Sequence, residues 1–289
     1  MELRGVYTAL VTPFRDGKVD YPALKTLVES QIAGGVAGLI PVGTTGESPT
    51  LDYKEHSEVI AFTIECAAKR CQIIAGTGAN STAEAIKLTR EAKEMGADAT
   101  LQVTPYYNKP TPEGIYRHFA TVADTVGLPV VMYNVPGRAG VPIPVDVVAR
   151  LAGNANVIGI KEAAGSVDRV SKILDVCELD VLSGDDSLTL PMMAVGAKGV
   201  VSVASNVIPR ELTEMVNLAL AGDFAAARKL HQKYYRLFCD LFIESNPIPV
   251  KAAMAMKGML AEEYRLPLCE MTAAHRDVLR ETLIGCEVL

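Results

Sequence analysis

The sequence predicts an α/β fold, a (β/α)8 barrel of TIM type, followed by a C-terminal extension of three helices. Three observations predict it. Eight short apolar runs rich in β-branched residues recur between residues 6 and 203, and they are apolar throughout, as strands are when both faces are covered. Each run is followed by a longer segment of helical periodicity, which makes eight strand–helix units, the number that closes a barrel. The first run leads into Thr12-Pro13-Phe14, without the Gly-rich loop that an open doubly wound sheet usually places there.

The elements follow in order. The strand at 6–11 precedes a helix at 21–33, started by Asp20 and stopped by Gly34. The strand at 38–42 precedes a helix at 53–69. The strand at 72–75 precedes a helix at 82–95, with Ser81 before it and Gly96 after it. Then come pairs at 99–103 and 112–126, 129–133 and 144–152, 157–161 and 167–177, 180–183 and 188–195, and 199–203 and 210–220. No further strand is evident beyond Asp223. Residues 225–243, 249–260 and 272–284 read as helices, broken at Ser245-Asn246-Pro247 and Leu266-Pro267. The expected organisation is a catalytic barrel at 1–222 and a helical extension at 223–289 that covers the barrel or mediates oligomerisation.

Composition removes several function classes. In 289 residues, Lys plus Arg is 28 and Asp plus Glu is 34, a net charge of −6, which argues against a nucleic-acid-binding protein. With 21% charged and 49% hydrophobic residues the chain is not wholly disordered. No apolar run approaches the roughly 18 residues of a membrane span, and Met1-Glu2-Leu3-Arg4-Gly5 lacks the features of a signal peptide. The expectation is a soluble cytoplasmic protein without membrane partners. The six cysteines (Cys66, Cys71, Cys177, Cys239, Cys269 and Cys286) form no Cys-x-x-Cys pair and no zinc spacing with His, so buried thiols are expected.

In a barrel the chemistry sits at the C-terminal ends of the strands. Lys161 closes the apolar run Val157-Ile158-Gly159-Ile160, so its side chain should reach the barrel mouth. Burial disfavours an ammonium, and the neutral amine it leaves is a nucleophile toward carbonyls. The bland alternative is an ion pair with Glu162. Tyr133 also closes a strand, and Thr44 and Tyr107 end neighbouring loops from which a proton relay could be built. The glycines of Gly43-Thr44-Thr45-Gly46 let backbone amides converge on an anion, and with no Gly-Lys-Ser/Thr a small carboxylate fits better than a nucleotide. Gly76-Thr77-Gly78 is too short a signal to mean a nucleotide. The four histidines (His56, His118, His231, His275) end no strand, and Asp185-Asp186 is the only acidic pair at the rim. A metal-free lysine mechanism without cofactor is favoured.

Together these motifs resemble the dihydrodipicolinate synthase family of pyruvate-dependent, class I aldolase-type lyases. They are Gly43-Thr44-Thr45-Gly46-Glu47-Ser48, Tyr106-Tyr107-Asn108-Lys109-Pro110, Tyr133-Asn134-Val135-Pro136-Gly137-Arg138 and Gly159-Ile160-Lys161-Glu162-Ala163. The resemblance runs along the whole chain, from Gly5-Val6-Tyr7-Thr8-Ala9 to the tail. It implies that Lys161 forms a Schiff base with pyruvate and that the derived enamine attacks L-aspartate 4-semialdehyde. Tyr133, Thr44 and Tyr107 then relay protons, the tyrosine at 107 reaching into a neighbouring subunit. Thr45 holds the pyruvate carboxylate, Val203 lines its pocket, and Arg138 binds the carboxylate of the second substrate. The implied product enters diaminopimelate and lysine synthesis, and the implied assembly is a homotetramer, a dimer of dimers.

The resemblance also implies feedback inhibition by L-lysine at an interface pocket matched by Ser48, His56, Asn80, Glu84 and Tyr106. Two residues depart from the family pattern: Tyr53 stands where His or Trp is common, and Pro49 where a small residue is. A related sugar-acid or sialic-acid lyase on the same scaffold, which would not need Arg138, is the alternative. A non-catalytic carboxylate-binding barrel is disfavoured by the intact Lys161, Tyr133 and Thr44.

Overall fold

The computed structural model describes residues 1–289. Its strands and helices, in chain order, begin with β1 (Gly5–Ala9), a small antiparallel hairpin of β2 (Phe14–Arg15) and β3 (Lys18–Val19), α1 (Tyr21–Ala33), β4 (Gly38–Ile40), α2 (Tyr53–Ala67), β5 (Gln72–Gly76) and α3 (Thr82–Met95). Next are β6 (Ala99–Val103), α4 (Pro112–Val126), β7 (Val130–Asn134), the short α5 (Pro136–Ala139), α6 (Val145–Ala152), β8 (Val157–Glu162) and α7 (Val167–Val176). The barrel finishes with β9 (Asp180–Ser183), α8 (Thr189–Ala194), β10 (Gly199–Ser202) and α9 (Pro209–Leu220). Three helices follow: α10 (Phe224–Asp240), α11 (Ile248–Met256) and α12 (Ala273–Gly285).

Eight parallel strands close a barrel in the order β1, β10, β9, β8, β7, β6, β5, β4. β1 completes the ring by pairing Tyr7–Ala9 with Gly38–Ile40 of β4 on one side and Gly5–Thr8 with Gly199–Ser202 of β10 on the other. Strand alternation divides the core. Inward residues such as Tyr7, Ile40, Ile74, Leu101, Val131 and Leu182 fill the barrel. Outward residues such as Val6, Leu39, Ile73, Val130, Ile160 and Val200 pack under the helices.

Local chemistry fixes the helix ends. Asp20 accepts from the Ala23 amide at 3.0 Å, Asp52 and Glu55 form a capping box on α2, and Thr111 caps α4 with Pro112 in its first turn. Three expected helices run too long. The segment at 53–69 ends at Ala67 because Ala68 turns left-handed (φ 47°), with no breaker in the sequence to announce it. The segment at 249–260 stops at Met256, just before Gly258 at φ 71°. The segment at 225–243 stops at Asp240, and the chain then turns toward the barrel mouth. The expected burial of the thiols also needs correction. Cys286 is buried, but Cys239, near the end of α10, and Cys269, in the loop before α12, are exposed; all six are free. No helix is long and apolar enough to cross a membrane.

Candidate active site at the barrel mouth

Tyr133 and Lys161 are register partners on β7 and β8 and lie on the inward face. Lys161 is only 6% exposed, and its Nζ lies 4.1 Å from the centroid of the Tyr133 ring. Glu162, one residue on, faces the other way, as the pleat requires. There it accepts from Arg169 Nε at 2.8 Å, Asn134 Nδ2 at 2.7 Å and the Ala164 amide at 2.9 Å. The alternative of a Lys161–Glu162 ion pair is therefore overturned. Burial pushes the Glu162 carboxyl up, and the Arg169 charge works against that push. Asp185, just past β9, is likewise raised by burial, with the Lys161 charge pulling it back.

The loop after β4 folds on itself through bonds from the Gly46, Glu47 and Ser48 amides to the Gly43 and Thr44 carbonyls. The amides of Thr44 and Thr45 find no backbone acceptor, which leaves them free to meet an anion. Thr45 is buried, and its Oγ1 accepts from Asn246 Nδ2 at 2.9 Å. A cleft of about 250 Å³ brings together Thr44, Ser48, Tyr106, Tyr133 and Arg138. Its floor includes Gly76 and Gly78, where backbone approaches backbone: a Cβ would fall 2.6 Å from the Val42 carbonyl oxygen at the first and 2.4 Å from the Val103 nitrogen at the second. The segment Gly76-Thr77-Gly78 thus shapes the cleft rather than holding a nucleotide.

Arg138 sits on α5 and donates from Nη2 to the Asn246 carbonyl at 3.2 Å. Val203 is buried one residue beyond β10, its amide bonded to Asp186 at 3.0 Å. Asp186 also accepts from Ser202 Oγ at 2.5 Å and the Ala204 amide at 3.0 Å, so it shapes the turn after the last strand. Tyr107 is not brought into the cleft by its own chain. It is 89% exposed on a left-handed backbone (φ 71°) and makes no hydrogen bond with Tyr133 or Thr44.

The residues matched to the lysine pocket form one neighbourhood beside the cleft. Asn80 Nδ2 donates to the Tyr106 carbonyl at 3.2 Å, and Asn108 Nδ2 donates to the Asn80 carbonyl at 2.9 Å. His56 is buried with Nε2 3.0 Å from the Gly76 carbonyl, and burial lowers its pKa. Glu84 is already engaged: the Tyr53 hydroxyl donates to it at 2.5 Å, a bond that raises the phenol's pKa. Ser48 and Tyr106 line the cleft itself, so the two sites share a wall.

Three contributors escaped the sequence reading: Asn246, the Glu47–Lys251 pair and the Asn134–Glu162–Arg169 set. Asn246 and Lys251 lie some 200 positions from their partners, Thr45 and Glu47, and no local pattern could join them. No three His, Cys, Asp or Glu side chains are grouped to hold a metal ion.

The mouth therefore combines a buried amine, a phenol, two unengaged amides and a guanidinium, and the phenol, the guanidinium and Thr44 line one small cleft. Comparison with known proteins agrees with that chemistry. The profile of the dihydrodipicolinate synthetase family matches residues 2–284. A 4-hydroxy-tetrahydrodipicolinate synthase of Hydrogenobaculum sp. (strain Y04AAS1) is 52% identical over 283 residues, covering 97% of this chain and 98% of its own. A chloride-inhibited dihydrodipicolinate synthase from Acinetobacter baumannii, complexed with pyruvate, superposes with a TM-score of 0.97 at 46% identity, covering 99% of each chain. The enzyme from Cyanidioschyzon merolae with lysine bound gives 0.96 at 39%, again covering 99% of each chain.

Proposed function

Because the chain belongs to the dihydrodipicolinate synthetase family, we propose that it condenses pyruvate with L-aspartate 4-semialdehyde to give 4-hydroxy-tetrahydrodipicolinate. The observation that carries the reading is Lys161, buried at the mouth without a salt bridge and set against the Tyr133 ring. The Lys161 amine adds to the pyruvate ketone, and loss of water gives the imine. The imine gives up a methyl proton to become an enamine. The enamine carbon then attacks the aldehyde, whose oxygen takes up a proton. Cyclisation of the second substrate's amine onto the imine carbon releases Lys161.

Thr44 and Tyr133 carry protons at this site, and Tyr107 joins them from a neighbouring subunit, in keeping with its exposure. The Thr44–Thr45 loop holds the pyruvate carboxylate, with Val203 in the pocket wall. The site is complete only in an oligomer, for which we propose a homotetramer. Residues 1–222 form the catalytic barrel and 223–289 its helical extension. The direct test is a coupled assay with both substrates, run beside N-acetylneuraminate. Turnover of the sialic acid without turnover of the semialdehyde would replace this reading with a sugar-acid lyase.

Arg138 selects the second substrate, since its fork suits a carboxylate. Arg138→Ala should lower kcat/KM for the semialdehyde by on the order of ten- to hundredfold, while pyruvate still forms its imine. Equal loss of both steps would make Arg138 structural.

L-Lysine inhibits at the pocket of Ser48, His56, Asn80, Glu84 and Tyr106, with the Glu84 carboxylate meeting an ammonium group. There it competes with the Tyr53 hydroxyl, which already donates to Glu84. Millimolar lysine should therefore inhibit the parent, Glu84→Thr should be insensitive, and Tyr53→Phe should respond at roughly threefold lower lysine or less. Identical lysine responses in all three proteins would rule out this pocket.

A further inference from the structure

We propose that Asn246, near the end of the link between α10 and α11, is a positioning residue that aims the Thr45 hydroxyl at the pyruvate carboxylate. The proposal rests on the reading of Thr45 given above and adds how that hydroxyl is oriented. Asn246 is 6% exposed, and its Nδ2 lies 2.9 Å from Thr45 Oγ1. An amide nitrogen can only donate, so the hydroxyl oxygen must accept. The single hydroxyl hydrogen is then left for another acceptor, and nothing in the chain takes it. A carboxylate oxygen in the cleft is the acceptor that this arrangement is prepared for.

Two further observations support a dedicated device. The Asn246 backbone carbonyl receives Arg138 Nη2 at 3.2 Å, so one residue stands between the groups assigned to the two substrates. Five residues on, Lys251 of α11 is fully buried against Glu47 at 2.5 Å, which ties the helix after the link to the loop that carries Thr45. The two Asn246 contacts are chemically separable. The amide reaches Thr45, while the backbone carbonyl, which survives any substitution, reaches Arg138.

A double-mutant cycle on the full enzyme tests this. Asn246→Ala should raise the KM for pyruvate about tenfold and leave that for aspartate semialdehyde within about twofold. In a Thr45→Val background the same substitution should have little effect, because the hydroxyl it aims is gone. Asn246→Asp keeps the shape and serves if the alanine variant unfolds. Its effect on pyruvate should also be smaller in the Thr45→Val background, where no hydroxyl remains for the carboxylate to capture. An equal effect in both backgrounds, or both KM values rising together, would overturn the positioning role. Thr45→Val alone with an unchanged pyruvate KM would instead overturn the assignment of Thr45 itself.

Discussion

Replacing Lys161 with arginine is expected to lower turnover by on the order of a thousandfold or more while the protein stays folded. A guanidinium remains protonated at any working pH and cannot add to a ketone. The space is also set for an unbranched amine. A Cβ on neighbouring Gly184 would come within 3.0 Å of Lys161 Cε. Borohydride reduction with pyruvate should leave a stable adduct on the peptide that carries Lys161, and none in the arginine variant. Label on Lys109, Lys198 or Lys251 instead would show that the nucleophile lies elsewhere. Lys251 is the informative control. It too is buried, but its Nζ is held by Glu47 and packed 4.3 Å from the Phe14 ring centroid, so no lone pair is offered to a substrate.

The second large effect concerns that pair. Lys251→Met should destabilise the protein by about 3–5 kcal/mol, because it strands the Glu47 carboxylate where neither side chain is exposed. Burial already lowers the Lys251 pKa, against the pull of Glu47, which shows how much this site depends on the partner. For a chain of this size the melting temperature should fall by roughly ten degrees. Adding Glu47→Gln should recover much of the loss, since the orphaned charge is then removed. A single variant as stable as the parent, or a double variant no better than the single, would mean that solvent reaches the site after all.

The barrel was legible because its signals are local. Eight apolar runs and the cap and glycine signals at Asp20, Gly34, Ser81 and Gly96 need no knowledge of distant residues, and the strands at 99–103 and 180–183 fall where the periodicity put them. The inward side chains at 133 and 161 follow from position at strand ends. What lay beyond the sequence is of two kinds. The hairpin at Phe14–Val19 has strands of two residues each, too short for any alternation to register. Contacts such as Arg265 with Glu55 at 2.6 Å, or Asn246 with Thr45, depend on how the extension lies across the mouth, which no window of sequence records. Tyr53 stands out in the sequence as a departure from the family pattern, but its bond to Glu84 joins two helices, α2 and α3, across 31 positions.

The same long reach bears on how the enzyme is made. Asn246, Lys251 and Arg265 meet their partners in the first fifth of the chain, Thr45, Glu47 and Glu55, across 201, 204 and 210 positions. Contacts of such separation form late, because the loop-closure entropy must be met first. On the ribosome, all eight strands can emerge before residue 246 does, and domains fold as they are synthesised. A nascent barrel thus holds its anion loop without the clasp that fixes it. The anion loop stays unfixed until the chain through Arg265 has left the exit tunnel, so a closed barrel precedes a chain that is ready to assemble.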